Sequence, residues 1–428
     1  MFRKKQAALG FIFITLLIDV IGFGIIIPVL PRLITSLAHC TLSEAGRYGG
    51  WLLFSFSLMQ FLFSPLMGNL SDRYGRRQVL LLALFGLGVD YLVLAMAPGI
   101  TWLFFGRVFA GIFGASFTTA TAYIADITVP EKRAKNFGMI GVAFGLGFII
   151  GPLLGGLLSP LGIRVPFFVA AGLAFLNGLY GLFILPESLP KENRRHFEWI
   201  KANPASALIR MKRFPMVAGL IIAMFFTFLA GQAVQCTWTF FTMSRFSWSE
   251  RDVGISLCIV GILIAVVQGG LTGVIIKALG TKKSVYLGLL MNILGLLLFS
   301  AANASWMMYA FLLPYCLGGV AGPALQSIMS VEVPATEQGE LQGTLTSMMS
   351  LSTIIGPLLM TNLFSFFSSA GAPVYFPGAA FLMGGLLSIF SLILFIQTLR
   401  RPSATTLSGK ANDPAGPVPA AGPGLQEA

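Results

Sequence analysis

The chain has 428 residues, a formal net charge of +12 and a mean hydropathy of +0.84, with 56% hydrophobic and 10% charged residues. Charged residues make up about 25% of a typical soluble domain, so this composition excludes a soluble globular protein. The net positive charge alone would suit a nucleic-acid partner, but the distribution of the basic residues along the chain argues against one.

Twelve apolar runs follow one another with short interruptions, each about as long as the 20 residues that span a bilayer. Inside hydrocarbon no water is present to bond the backbone, so each run must be an α-helix. The predicted fold class is therefore an all-α membrane protein with twelve transmembrane helices. The runs lie at residues 7–33, 46–67, 79–97, 101–123, 137–159, 165–185, 215–240, 251–273, 282–301, 306–330, 341–367 and 374–397.

The basic residues are unevenly distributed across the predicted bilayer. With a cytoplasmic N-terminus, 22 of the 28 Lys and Arg residues fall in cytoplasmic segments, while Arg107 lies within a span. This positive-inside pattern predicts a multi-pass protein of the plasma (inner) membrane with both termini in the cytoplasm and no nucleic-acid partner. The far side holds Arg32, Arg47, Arg164, Arg245 and Arg251. The far helix ends carry a predicted interfacial belt of Trp51, Trp102, Trp238, Trp248 and Trp306.

Two stretches of sequence recur 205 residues apart. The hexapeptide IIGPLL occupies residues 149–154 and 354–359. The loop GNLSDRYGRRQ begins at Gly68 and the loop GVIIKALGTKK at Gly273, and each has a second glycine seven residues on and then two basic residues. The chain is therefore predicted to contain two six-helix halves. They have the same orientation, because six crossings return the chain to the same side of the membrane.

The predicted domain boundaries follow from this duplication. The N-terminal half spans residues 1–185 and the C-terminal half residues 215–401, joined by a basic cytoplasmic loop at 186–214. Residues 402–428, rich in Pro, Ala and Gly, are predicted to be a disordered cytoplasmic tail. Parallel repeats of this kind are the plan of secondary transporters whose halves rock about a site at the membrane midplane.

Three motifs of the first half carry a family resemblance. GNLSDRYGRRQV follows the second span, FFGRVFAGIFGAS with Arg107 lies in the fourth, and GFIIGPLLGG lies in the fifth. They resemble the signatures of the major facilitator superfamily, in its twelve-helix drug:proton antiporter branch. The second IIGPLL is followed by Met360 and Thr361, so the antiporter motif is complete only in the first half.

Further segments are similar to the tetracycline-resistance antiporters of that branch: LLIDVIGFGIIIPVLPRL, the Asp90-Tyr91 pair, GPALQSIMS and EQGELQG. The resemblance implies a monomer that exports a small amphiphilic compound by antiport, with the proton gradient as its energy source and no bound cofactor. Those transporters carry tetracycline as a cationic complex with a divalent metal. They have an acid where this chain has Asn292, which argues against tetracycline itself as the substrate.

The antiporter motif comprises Gly147, Gly151, Pro152, Gly155 and Gly156. Three of its glycines recur at intervals of four on one helix face, where small residues let helices approach closely, and the proline bends the helix. Ordinary packing of small residues would explain an isolated glycine stripe. The full motif implies that helix 5 packs on its counterpart in the other half and seals one gate.

The loop after helix 2 is the predicted cytoplasmic gate: Gly68, Asp72, Arg73, Gly75 and Arg76. Arg73 alone could be an anchor that follows the positive-inside rule. That rule does not require an acidic residue, so Asp72 needs another explanation. By resemblance, Asp72 caps the N-terminus of a second-half helix, where a carboxylate is favoured by about 0.3–1 kcal/mol, and pairs with Arg76 or a neighbour.

Asp19, Asp90 and Arg107 are the ionisable residues predicted deep in the spans, and we assign them to proton coupling. A charge at a helix centre costs about 2.5–3.5 kcal/mol on the insertion scale, so it must face water or a partner. The alternative is a structural ion pair between Asp19 and Arg107. Asp126 and Glu187 fall at helix ends and are predicted to be interfacial.

Uncharged polar side chains in the spans are the candidate substrate contacts: Gln60, Gln232, Gln235, Asn292 and Gln326. Hydrogen bonding between helices is the alternative role for each. The only histidines, His39 and His196, fall in loops, so no metal site and no enzyme chemistry are predicted. Besides the exporter, a proton-coupled nutrient importer and a non-transporting receptor or scaffold remain as alternative functions.

Overall fold

The computed structural model of the chain describes residues 2–114, 116–128, 133–194, 215–334 and 337–400. Within these ranges twelve helices are long and apolar enough to span a membrane, which confirms the predicted fold class. Most of the predicted central loop and tail lie outside the described residues. The helices, named α1 to α12, are Phe2–Ile26, Leu42–Tyr74, Arg76–Met96, Ile100–Ile127, Arg133–Leu158, Val165–Ile184, Pro215–Phe246, Glu250–Leu279, Thr281–Ala301, Ser305–Glu332, Gln338–Ser368 and Ala379–Leu399.

Two ends of the bundle differ in chemistry. One end, here the basic end, carries Arg73 in the last turn of α2, Arg76 and Arg77 at the start of α3, and three lysines where α8 meets α9. The other, the tryptophan end, carries Trp51, Trp102 and Trp306, all about half exposed. Two predicted members of the belt do not belong to it. Trp238 and Trp248 are 2% and 6% exposed, because their indole N–H groups bond to Ser256 and Ser305 inside the bundle.

The duplication predicted from the glycine spacing has a local structural counterpart. Gly75 separates α2 from α3 with φ of 111°, and Gly280 separates α8 from α9 with φ of 78°. In each case the glycine N–H bonds to the carbonyl four residues earlier, at 3.1 and 2.9 Å. A side chain is strained at such a φ, so glycine recurs in both halves where one helix must stop and the next begin at once.

The first half is organised by close packing of α1 on α5. Ideal Cβ atoms built on Gly151 and Gly24 would each lie within 3.0 Å of the backbone of the other helix. An ideal Cβ on Gly147 would lie 2.6 Å from the Val20 side chain. The glycines of the antiporter motif therefore bring the two backbones into contact, as small residues do in membrane bundles.

We predict that Gly151→Ala destabilises the protein by about 1–3 kcal/mol, because the added methyl group would lie 2.7 Å from the Ile21 carbonyl oxygen. Thermal unfolding of the purified protein measures the effect. Gly145→Ala is the matched control on the same helix, since its Cβ would meet no described atom within 4 Å. Equal melting temperatures for the two variants would contradict this account of the packing.

Candidate functional site

Asp90 on α3 and Arg107 on α4 form an ion pair inside the first half. Arg107 Nη2 donates to Asp90 Oδ2 at 2.7 Å, and the two residues are 6% and 1% exposed. Gly106 makes room for the carboxylate, since an ideal Cβ there would lie 2.7 Å from Asp90 Oδ1. Removing one partner from such a buried pair costs about 3–5 kcal/mol, so each charge requires the other.

Asp19 lies midway along α1 and is partly exposed, unlike Asp90. One turn further on, an ideal Cβ on Gly22 would lie 3.0 Å from the hydroxyl of Tyr91, the neighbour of Asp90 in sequence. The ion pair that the structure shows for Arg107 is with Asp90, and the alternative pairing with Asp19 stays a prediction. Asp90 reaches Arg107 because α3, which carries Asp90, packs against α4.

At the basic end Arg76 joins three segments of the first half. Its guanidinium contacts Asp72 at 2.5 Å and Asp126 at 3.2 Å, and its backbone N–H donates to Glu187 at 2.9 Å. The predicted pairing of Asp72 with Arg76 is confirmed. Asp126 and Glu187 are members of this network that the sequence did not reveal, because they lie 50 and 111 residues from Arg76.

The other predicted gate residues occupy simpler positions. Arg73 is exposed, with its guanidinium 5.1 Å from the centre of the Tyr74 ring. Gly68 packs near Thr118 of α4. Gly75 lies against the Glu187 carboxylate, where its positive φ and the lack of space both favour glycine.

In the part of the chain that the structure describes, the two halves are apart at the basic end. On α5, Cβ atoms placed on Gly138, Gly141 or Gly145 would meet no described atom within 4 Å. The same holds on α8 for Gly269 and Gly273. The facing helices therefore diverge here, and capping of a second-half helix by Asp72 remains a prediction for another conformation.

The halves meet at the tryptophan end through α5 and α8. An ideal Cβ on Gly156 would lie 2.6 Å from the Glu250 carbonyl oxygen, and Gly254 packs directly on the Pro152 carbonyl. The predicted role of the motif in a gate therefore has a structural basis. Its predicted partner is wrong: helix 5 packs on α8 of the other half rather than on its counterpart α11, and Gly147 and Gly151 pack on α1 of their own half.

A second contact between the halves joins α2 to α7 and α11. Ideal Cβ atoms on Gly46 and Gly49 would lie 2.8 Å from the Phe364 ring and 2.6 Å from the Phe240 ring. Ser43 donates to the Ser365 carbonyl at 2.6 Å. Together with the contact of α5 on α8, this packing closes the tryptophan end.

An ion pair crosses the same closed end. Arg32 lies on the short helix Leu30–Ala38 between α1 and α2, and its Nε is 2.7 Å from Oε1 of Glu250 in the first turn of α8. The side chain of Glu250 is only 7% exposed, whereas that of Arg32 is 57% exposed. The backbone of Glu250 is the one that Gly156 contacts, so the ion pair and the glycine contact lie together.

The predicted substrate contacts are dispersed rather than gathered in one cluster. Gln232 and Gln235 bond to each other on α7, and Gln232 is buried against Gly356 while Gln235 is exposed. The remaining three bond to neighbouring helices: Gln60 to the Gly114 carbonyl, Gln326 to Gln342 and Asn292 to the Ser388 hydroxyl. Interhelical bonding thus accounts for these three in the present conformation, and substrate contact stays a prediction.

Two six-helix halves that touch at one end and separate at the other define a membrane transporter of the alternating-access type. The chain belongs to the Major Facilitator Superfamily, whose family model matches residues 12–271 and again residues 220–425. Both the predicted family and the prediction of a transporter rather than an enzyme are confirmed.

Similar proteins agree with this assignment. Tetracycline resistance protein class C of Escherichia coli is 39% identical over 389 residues, covering 91% of this chain and 96% of that protein. The class E protein of Escherichia coli is 40% identical over 364 residues, covering 85% and 88%. Among solved structures, the human organic anion transporter MFSD10 (TETRAN) has a TM-score of 0.67 at 26% identity, covering 91% of this chain and 99% of that chain.

We predict that Arg32→Ala shifts the population towards a conformation open at the tryptophan end, because Glu250 loses its partner across the closed interface. The exposure of Arg32 limits the effect to about 1 kcal/mol, roughly a fivefold change in the ratio of the two conformations. Spin labels on the tryptophan-end termini of α5 and α8 would report the change as longer distances. Arg47→Ala, an exposed arginine on α2 near the same end, is the control. Identical distance distributions for Arg32→Ala and the parent protein would rule out this role.

Proposed function

We propose that the protein is a proton-coupled exporter of small amphiphilic compounds, such as tetracycline or another drug, in the plasma (inner) membrane. The observation that carries the proposal is the arrangement of three intramembrane charges. A sealed Asp90–Arg107 pair lies near a partly exposed carboxylate, that of Asp19. Intramembrane ionisable groups are costly and mark ion pathways, and the named resistance proteins among the relatives favour drug export.

The orientation follows from the charges at the bundle ends. Basic residues concentrate on cytoplasmic loops, so the basic end and both termini are placed in the cytoplasm. The separation of the halves at that end then gives access to the interior from the cytoplasm. The packed tryptophan end blocks the opposite side. This is the conformation in which an exporter takes up its substrate.

Asp19 is the preferred proton carrier. A coupling carboxylate must exchange a proton with water, and Asp19 is partly exposed whereas Asp90 is 1% exposed and bound to Arg107. We assign the Asp90–Arg107 pair to holding α3 and α4 together beside Asp19. A proton entering through a potential of 100 mV supplies about 2.3 kcal/mol, which drives the return of the carrier to the cytoplasm-facing conformation.

Export requires the opposite end to open. The α5–α8 and α2–α11 contacts must then separate, and the basic end must close. Closure brings Asp72 towards the second half, where the N-terminus of α11 is the site for its carboxylate. Arg76 already holds Asp72 at 2.5 Å, so this side chain is positioned before the halves meet.

A proton-coupled importer uses the same machinery in the opposite direction and remains the second candidate function. The resistance proteins among the relatives favour export. Gln232 and Gln235, which bond to each other on α7, are the candidate substrate contacts on the second half. The protein is proposed to work as a monomer without a resident cofactor, and any divalent metal enters bound to the substrate.

The test is substrate-dependent proton release from inverted vesicles energised by a pH gradient. Asp19→Asn should abolish proton-driven uptake of drug into these vesicles while leaving the melting temperature unchanged. Asp90→Asn should instead lower stability by about 3–5 kcal/mol, because Arg107 is left buried without a counter-charge. Full gradient-driven uptake by Asp19→Asn would refute its role as carrier. Release of preloaded drug from the vesicles together with protons, both moving outward down the proton gradient, would identify an importer.

Asn292→Asp tests the substrate. Its amide oxygen accepts a hydrogen bond from Ser388 at 2.8 Å, which a carboxylate can also accept. An added negative charge attracts a cationic metal–tetracycline complex more strongly than an amide does, so metal-dependent tetracycline uptake should increase. The gain should shrink as the pH falls and the new carboxylate is protonated. Strong uptake by the parent protein that Asn292→Asp does not change would show that the acid is not required here.

A further inference from the structure

One turn of π-helix interrupts α8. It spans Val267–Leu271, and α8 is α-helical on both sides of it. The Val267 carbonyl accepts a hydrogen bond from the Thr272 backbone N–H and another, at 2.8 Å, from the Thr272 hydroxyl. Such a turn holds one residue more than a regular turn and is frequent at functional sites. It is here named the π-turn.

The π-turn lies where α8 parts from α5. On its tryptophan side Gly254 and Gly261 both pack on α5, and an ideal Cβ on Gly261 would lie 2.6 Å from the Ile149 side chain. Within the π-turn, an ideal Cβ on Gly269 or Gly270 would meet no described atom within 4 Å. The π-turn therefore marks the boundary between the part of α8 that is packed on the other half and the part that is not.

The neighbouring helix α10 is irregular at the same level. A short 3₁₀ stretch, Gly318–Val320, interrupts α10 and contacts the π-turn. An ideal Cβ on Gly319 would lie 3.6 Å from the side-chain nitrogen of Gln268. Val267 and Val320 are buried in one apolar cluster. The regular hydrogen-bond ladder thus changes in two adjacent helices at one place, and helices bend at such places.

The part of α8 beyond the π-turn, Thr272–Leu279, is here called the end segment. Thr272 is the one buried member of its eight residues. At its far end Gly280 has φ of 78°, and an ideal Cβ there would meet no described atom within 4 Å. The end segment is therefore bounded by two departures from regular helix and is packed loosely on the rest of its own half.

Its copy in the first half is held more firmly. Residues 67–74 of α2 lie 205 positions earlier; Met67 is buried there, and Asp72 is ion-paired with Arg76. In the end segment Lys277 occupies the position of Asp72 and is exposed. The duplication thus produced one anchored segment and one that is attached mainly through the helix itself.

We propose that α8 bends at the π-turn and that the end segment closes the basic end as a lid. This bending adds the movement of a single helix to the rocking of the two halves. The inference rests on the opening and closing of the basic end in the proposed function, but not on proton coupling. Lys277 lies about 10 Å beyond the π-turn, so a bend of about 20–30° would displace it by about 4–5 Å.

Distances between spin labels inside the second half distinguish the lid from rocking alone. A half that rocks as a rigid body keeps its internal distances unchanged, whereas a lid alters them. The test pair is Lys277 on the end segment and Arg400 after α12, both exposed. The control pair is Ile262, on the tryptophan side of the π-turn, and Leu386 on α12, also exposed. Each is replaced by a labelled cysteine in a chain whose four native cysteines are changed to alanine.

The two conformations are compared in the parent protein and in Gly156→Trp. An ideal Cβ at Gly156 lies 2.6 Å from the Glu250 carbonyl oxygen, so an indole there must force the tryptophan end apart. Longer distances between the tryptophan-end termini of α5 and α8 verify this opening. The Lys277–Arg400 distance should then change by about 4–5 Å while the Ile262–Leu386 distance stays the same. A constant Lys277–Arg400 distance would overturn the lid.

Alanine substitutions test the hinge through transport. Alanine restricts the backbone to regular helix more than glycine does, so Gly269→Ala combined with Gly270→Ala should slow drug uptake roughly fivefold. Gly273→Ala is the matched control, because Gly273 lies in regular helix three residues further on and its Cβ would also meet no described atom within 4 Å. It should transport at the parent rate. Melting temperatures establish that each variant is folded.

Uptake by the folded double variant at the parent rate, or an equal loss in Gly273→Ala, would also overturn the lid. The proposed function fails in a different assay. A changing Lys277–Arg400 distance without substrate-dependent proton release in vesicles would refute antiport and leave the lid standing. Proton-coupled export with a constant Lys277–Arg400 distance would refute the lid and leave antiport standing.

Discussion

Close contact between the two halves at the tryptophan end is the constraint on which the rest of this structure depends. Helices in lipid gain little from hydrophobic burial against each other, so they associate through van der Waals packing and a few polar contacts. Gly156 against Glu250 and Gly50 against Thr361 provide such packing, and the Arg32–Glu250 ion pair adds to it. Alternating access requires these contacts to separate. At the other end the described parts of α5 and α8 diverge.

The same packing separates two kinds of intramembrane charge. Asp90 and Arg107 lie between α3 and α4, inside one rigid half, where no movement of the halves needs to break their bond. Asp19 lies on α1, which packs on α5, a helix of the interface. If the halves move as proposed, a carboxylate in that position changes its environment, whereas the sealed pair does not. The proposed function accordingly gives the Asp90–Arg107 pair a role in stability and Asp19 the role in coupling.

Much of this arrangement could be predicted from the sequence, because long apolar runs indicate membrane helices and the spacing of the glycines indicates the duplication. Contacts between side chains on different helices could not be predicted as well. Nothing in the sequence distinguished Asp19 from Asp90 as the partner of Arg107, since the choice depends on how α3 rotates against α4. Asp126 and Glu187 were predicted only to lie at helix ends. Their contacts with Arg76 span 50 and 111 residues, and contacts between such distant residues leave no local sequence pattern. The capping box of Thr41 and Glu44 was a readable signal for the start of α2.

The divergence of the repeated hexapeptide has a physical explanation in the packing. Gly151 contacts α1, and Gly356, its copy 205 residues later, contacts Gln232 of α7, so both copies seat the first helix of their own half. Four residues on, the first copy has glycines and the second has Met360 and Thr361. In the contact between α5 and α8, Gly156 of α5 is the small residue that lies against the backbone of α8. In the contact between α2 and α11, the small residue is Gly50 of α2, which lies against the Thr361 side chain of α11. The second copy therefore meets the other half through a side chain, that of Thr361, for which Gly50 of α2 leaves the space.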